Sequence, residues 1–122
     1  MPKAKSTRDA EQERLVKARR AAAAKLGAAS RAADLWLNEK PQRVTEYERH
    51  IRRGERVGVN RGAARKMAKE ALTRARRVEG LLRQYERIQS WESYAAADRA
   101  AVVIRDLREM AKLAHYVANI RV

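Results

Sequence analysis

The sequence predicts an all-α fold, a compact bundle of about four helices of which two or three are long. Alanine, arginine, glutamate, leucine and lysine dominate the chain, phenylalanine is absent, and the prolines are confined to Pro2 and Pro41. Such a composition favours helices, and no stretch alternates between apolar and polar residues as a half-buried strand does. The 122 residues suffice for one domain. We place it at residues 7–122, after a flexible basic arm at residues 1–6.

The first helix is predicted from about Thr7 to Leu37. Ser6 and Asp9 have the spacing of an N-terminal capping pair. Apolar residues then recur every three or four positions, which marks one side of a helix as buried. The small residues on this side favour a closely packed partner helix, from the same chain or from a second copy. This predicted seam comprises Leu15, Ala18, Ala22, Leu26, Ala29 and Ala33, and the apolar side ends at Trp36.

A second, short helix is predicted after an interruption at residues 38–42. Pro41 suits the first turn of this helix. Thr45 and Glu48 have the spacing of a capping box. Its buried side is predicted to contain Val44, Tyr47 and Ile51.

Two long helices complete the predicted bundle. The third runs from about Arg61 to Ser90 or Trp91, and the fourth from about Tyr94 to Ile120. The predicted buried side of the third helix contains Met67, Ala71, Val78, Leu82 and Tyr85. The inward residues of the fourth are Ile104, Leu107, Ala111, Ala114 and Val117.

The chain is strongly basic, with 29 Lys and Arg against 15 Asp and Glu and a formal net charge of +14. A charge of this size favours polyanionic partners, of which nucleic acid is the commonest for a small basic protein. The charge is concentrated in residues 49–77, which hold eleven basic side chains and only Glu55 and Glu70 as acidic ones. Acidic protein surfaces and anionic lipid are the alternative partners.

Several classes of protein are excluded by what the chain lacks. It has no cysteine, which rules out disulfides, thiolate catalysis and cysteine-based zinc sites. The N-terminal residues lack the apolar core of a secretory signal. The longest apolar run, residues 100–104, is far shorter than a membrane span. We therefore expect a cytoplasmic protein with no membrane span.

The basic residues of the third helix fall on one side when the helix is projected at about 100° per residue. Five of them lie within roughly 40° of one another, opposite the apolar side. These five residues, called the basic stripe below, are Arg65, Lys69, Arg76, Arg83 and Arg87. The stripe is about 33 Å long, close to one turn of B-form DNA. It fits contact with DNA phosphates, and the alternative is a solvated outer face.

The segment HIRRGERVGVNRGAARKMAK, residues 50–69, resembles a helix-turn-helix motif. Gly54 stands where the first helix of the motif touches the second, and Gly58 stands at the turn. Asn60 stands at the N-cap of the second helix. In this interpretation Gly54 does not end a helix but lets the second helix approach closely.

The resemblance implies that the start of the second helix faces DNA. Arg61 or Arg65 would bind guanine O6 and N7, whereas Lys66 and Lys69 would bind phosphate. Arginines before the turn would contact the flanking backbone. The complete set of predicted nucleic-acid-binding residues is Arg52, Arg53, Arg56, Asn60, Arg61, Arg65, Lys66, Lys69, Arg76, Arg83 and Arg87.

No catalytic or metal-binding constellation is recognisable. Gly62 is followed by alanine rather than by the lysine of a phosphate-binding loop. The only histidines are His50 and His115. The carboxylates of the fourth helix alternate with arginines, a pattern typical of ion pairs on a solvated face. We expect no enzymatic activity, no cofactor and no metal.

The sequence therefore favours a small, oligomeric DNA-binding protein that serves transcription or the handling of plasmid or phage DNA. The alternative is a helical interaction, assembly or inhibitor protein whose basic face binds an acidic protein partner. Most of the Trp and Tyr residues lie on or beside apolar stripes rather than free for base stacking. RNA binding is the weaker alternative.

Overall fold

The structure, a computed structural model, describes residues 3–39, 42–54, 60–88 and 95–120, with side chains for all of them except residues 3–6 and 42–43. Four helices account for nearly all of these residues: α1 (Lys3–Glu39), α2 (Gln42–Arg52), α3 (Arg61–Ile88) and α4 (Ala95–Asn119). The described ranges contain no strand, so the predicted all-α class is confirmed. Within the same ranges, no helix is both long enough and apolar enough to cross a membrane.

The main core lies where α1, α3 and α4 meet. Leu26 of α1, Val78 of α3 and Leu107 of α4 are almost completely buried in it. Alanines such as Ala71 and Ala111 line much of the same interface, and small side chains let helix axes approach closely. The predicted inward residues of α4 are all buried, and so are three of the five predicted for α3, with Met67 and Leu82 half-buried.

α3 runs antiparallel to both α1 and α4. At one end, Nε of Arg19 on α1 donates a hydrogen bond to the carbonyl oxygen of Ile88, the last residue of α3, at 2.5 Å. At the other end, the guanidinium of Arg61 donates to the carbonyl oxygen of Ile120, just after α4, at 3.0 Å. α1 extends past the end of α3, and every side chain from Thr7 to Ala18 is exposed.

α2 packs against α4 and helps to form a second, smaller cluster. Its predicted inner residue Val44 is 3% exposed, and Tyr47 and Ile51 are half-buried. Val44 shares this cluster with Ala64 of α3 and Val117 of α4. The cluster therefore holds α2 beside the N-terminal end of α3.

Asn60 caps α3, as the sequence predicts. Its side-chain Oδ1 accepts a hydrogen bond from the backbone N–H of Ala63 at 2.9 Å. Its carbonyl oxygen accepts the first helical hydrogen bond, from the N–H of Ala64, at 3.1 Å. This is the geometry in which Asn stabilises a helix start by about 1 kcal/mol, and it fixes the beginning of α3 at Arg61.

The other two predicted caps are wrong. α1 begins at Lys3 and α2 begins at Gln42, so Ser6 and Thr45 lie inside helices and cannot cap them. α1 also includes residues that the sequence assigned to the N-terminal arm. Pro41, predicted in the first turn of α2, lies outside the described residues.

Candidate nucleic-acid interface

The basic stripe lies on the outer face of α3. All five of its side chains are exposed: Arg65, Lys69, Arg76, Arg83 and Arg87. The opposite side of α3 carries Ala71, Val78 and Tyr85, which the core buries. Because the core fixes the rotation of the helix, the five cations share one direction along about 33 Å of continuous helix. The surface is a straight cationic row.

The stripe has no acidic partner among the residues that the structure describes. Its side chains form no ion pair or hydrogen bond with any of them. Glu79, which lies beside the stripe on α3, instead pairs with Arg108 of α4. This ion pair offsets the negative charge of Glu79, and the five stripe cations outnumber the one exposed carboxylate beside them in the described chain, that of Glu86.

An apolar side chain also lies on this face, which the sequence analysis did not single out. Leu72 is 41% exposed and occupies the outer side of α3 between Lys69 and Arg76. The sequence could have predicted this position, because Leu72 projects about 20° from the stripe at about 100° per residue. The projection of the charged residues alone does not include it.

Three of the other predicted nucleic-acid-binding residues are already engaged within the chain. Arg52 forms an ion pair with Glu48 one helical turn earlier. The side chain of Asn60 caps α3, and Arg61 donates to the carbonyl of Ile120. These contacts give the three side chains structural roles, so they are poorer candidates for ligand contact than the stripe.

The remaining predicted residues differ in position. Arg53 is exposed just after α2. Lys66 is exposed on the side of α3 that faces α1, next to the stripe. Arg56 lies outside the described residues. The structure therefore brings together Arg65, Lys66, Lys69, Arg76, Arg83 and Arg87 on α3, whereas Arg52 and Arg53 belong to α2 and to the turn that follows it.

The prediction that Gly54 does not end a helix is wrong. α2 ends at Arg52, and Gly54 has a φ of 71°, the left-handed conformation in which glycine commonly follows a helix. Its N–H donates to the carbonyl oxygen of Ile51 at 3.0 Å. Within the described residues, a Cβ added to Gly54 would meet no atom within 4 Å, so glycine is required here for its backbone conformation. Gly58 and the turn itself, residues 55–59, lie outside the described residues, and a helix-turn-helix corner stays a prediction.

The outer face of α4 has a different electrostatic character. A guanidinium nitrogen of Arg105 lies 3.5 Å from a carboxylate oxygen of Asp106. Arg108 forms an ion pair with Glu79 of α3. Acidic and basic side chains alternate along this helix, with Asp98, Asp106 and Glu109 among Arg99, Arg105 and Arg108. The two helices therefore present one positive face and one nearly balanced face on the same bundle.

The predicted seam of α1 divides into two parts. Leu26 and Ala33 are 0% and 2% exposed within the single chain, and Ala22 and Ala29 pack against the same core. Leu15 is 40% exposed and Ala18 is exposed as well, because α1 has passed the end of α3 there. Association between chains stays a prediction, and the described part of α1 leaves Leu15, Val16 and Leu35 exposed for it.

Most aromatic side chains with described positions are used for packing. Trp36 and Tyr85 are 6% and 3% exposed. The guanidinium carbon of Arg74 lies 5.0 Å from the centroid of the Trp36 ring, which links α3 to the end of α1 by a cation–π contact. Tyr116, by contrast, is 50% exposed. Trp91 and Tyr94 lie outside the described residues.

The described part of the chain contains no group of three or more His, Asp and Glu side chains close enough to share a metal ion. Comparison with protein-family models, with curated protein sequences and with solved structures finds no significant match.

Proposed function

We propose that this protein binds nucleic acid, with duplex DNA as the preferred form, through the outer face of α3. The observation that carries the proposal is the basic stripe, five exposed cations on one straight helix face with no acidic partner in the described part of the chain. A polyanion with charges repeated along a line is the complementary ligand.

The geometry favours contact with the sugar–phosphate backbone over sequence readout. The stripe is about 33 Å long, which is close to one turn of the duplex. Lysine and arginine at such spacing neutralise phosphates on successive positions along a groove. Arg61 and Asn60, which a helix-turn-helix mode would use near the bases, already have partners within the chain. The proposed binding is thus mainly electrostatic, and a role in transcription or in plasmid or phage DNA handling would rest on it.

One observation favours a second candidate, the binding of an acidic protein. Leu72, which is 41% exposed beside the stripe, offers an apolar contact of the kind that protein interfaces bury at their centre. A DNA backbone, which is charged and polar, gains less from contact with this apolar side chain. An acidic helix or surface with a complementary apolar residue would fit the same face.

A salt titration tests the proposal. Affinity is measured for a duplex of about 20 base pairs, for a single strand of the same length, for RNA and for an acidic polypeptide, between about 50 and 200 mM salt. With three to five phosphates neutralised, we expect a log–log slope on the duplex of about −3 to −5 and tighter binding to the duplex than to the other ligands.

The acidic polypeptide separates the two candidates. No measurable binding to the duplex at low salt overturns the proposal, and tighter binding to the polypeptide than to any nucleic acid supports the second candidate. Stronger binding to RNA or to the single strand than to the duplex would overturn duplex DNA as the preferred form. It would still support binding of nucleic acid through the outer face of α3.

A further inference from the structure

We infer that one strand of the nucleic acid lies in a groove between α1 and α3, where Lys66, Lys69 and Arg77 hold its phosphates; this inference rests on the proposed function and deepens it. The groove has a volume of about 430 Å³ and opens beside the basic stripe. Lys69 belongs to both surfaces, since it lies at the edge they share. A strand in the groove would therefore continue the contacts made by the stripe.

The two walls of the groove differ in a way that suits a phosphate chain. α3 contributes the charged side chains, and α1 contributes Ala29, Ala32 and Ala33. Alanine methyl groups leave the space between the helices open and carry no negative charge. Cations above a wall of low polarity attract an anion more strongly than the same cations on a convex surface, because fewer water molecules screen them.

The spacing of the cations indicates how long the ligand is. Lys66 and Arg77 stand at opposite ends of the groove, about 16 Å apart along α3. Neither has a partner among the described residues. A single inorganic phosphate cannot bridge this distance, whereas consecutive phosphates of one strand can. The ligand class is consequently a strand with several phosphates.

Two other residues of the groove have defined roles. The hydroxyl of Thr73 donates to the carbonyl oxygen of Lys69 at 2.9 Å, so it is not available to donate to a phosphate. Arg74 is held over the ring of Trp36, at the end of α1 that borders the groove. It adds positive charge from a fixed position.

Among the described residues that line the groove, Glu70 is the one carboxylate, and it supplies a sharp test. A half-buried negative charge among the three cations opposes the binding of phosphate. Its removal should strengthen binding if a strand enters the groove. A change that strengthens binding cannot be produced by misfolding.

The experiment compares four variants of the full chain for affinity to the same duplex at about 50 mM salt. K66A/R77A is matched by R99A/K112A, which removes one Arg and one Lys from exposed positions of α4. E70Q is matched by E109Q, an exposed glutamate of α4. We expect K66A/R77A to bind about 10- to 100-fold more weakly than R99A/K112A, and E70Q to bind about three- to tenfold more tightly than E109Q.

The outcomes separate this inference from the proposed function. If the unaltered protein binds the duplex but each groove variant matches its α4 control, the groove inference is overturned and the proposed function stands. If the unaltered protein does not bind the duplex at all, the proposed function fails and the groove inference fails with it. Circular dichroism of each variant verifies that its helix content is unchanged.

Discussion

Replacement of Leu107 by alanine is expected to lower the free energy of unfolding by about 2–5 kcal/mol. Leu107 is 0% exposed and belongs to the cluster in which α1, α3 and α4 meet. Removal of its side chain loses the transfer free energy of the deleted carbon atoms and leaves a cavity that the surrounding helices close only partly. Domains are typically stable by only about 5–15 kcal/mol, so this one change removes a large part of the total.

The measurement is urea unfolding followed by circular dichroism, with Leu35→Ala as the matched control. Leu35 is 59% exposed on the same bundle, and its truncation is expected to change the stability by less than about 0.5 kcal/mol. Equal effects for the two leucines would mean that Leu107 is not in the core and that the packing of α4 described above is wrong.

The second large effect concerns binding. The variant R65A/K69A/R76A/R83A, which removes four of the five stripe cations, is expected to bind duplex DNA roughly 10²- to 10⁴-fold more weakly at about 50 mM salt. Each cation that neutralises a phosphate releases condensed counterions, and four such contacts account for most of the predicted salt dependence. The salt slope should become shallower by about three to four units at the same time. Helix content should be retained, since exposed alanines favour helix.

The matched control removes the same residue types from positions outside the stripe. R31A/R99A/R105A/K112A also loses three Arg and one Lys, all from exposed positions of α1 and α4. Arg105 pairs with Asp106, but exposed pairs contribute little to stability, and Arg108 is kept because it pairs with Glu79 of α3. Because this control lowers the net charge equally and leaves the stripe and its neighbours in place, we expect a loss of affinity well below that of the stripe variant. A loss of similar size would show that total charge rather than the face of α3 determines binding.

The helices and their buried sides could be predicted because burial imposes the helical period on the sequence. The predicted start of α3 at Arg61, its cap at Asn60 and the inward residues of α4 are all confirmed. The same period predicts the placement of the stripe. When Ala71 and Val78 face the core, Arg65 and Arg76 on the other side of the helix must face outward.

Features that depend on contacts between helices could not be predicted in this way. Leu15 continues the apolar side of α1 in sequence but is 40% exposed, because α3 ends at Ile88 and no described helix covers it. The groove depends on α1 being the neighbour of α3 on one particular side, which the sequence does not specify. Arg77 is therefore not among the residues predicted to bind nucleic acid, although its side chain is basic.

Two of the predicted caps and the predicted role of Gly54 were wrong for a different reason. The capping patterns at Ser6 and Thr45 are short, and such patterns also occur inside helices. Gly54 admits two explanations from sequence alone, close approach of another helix or a left-handed backbone conformation. Its φ of 71° supports the second.

The most direct test of the central claim is to map the binding surface by amide chemical-shift changes on titration of labelled protein with a duplex of about 20 base pairs, roughly two turns. The account predicts saturable shifts along the outer face of α3 from Arg65 to Arg87, with the outer face of α4 around Arg99 and Arg105 unchanged. Shifts concentrated on α4, or none that saturate on α3, would contradict it.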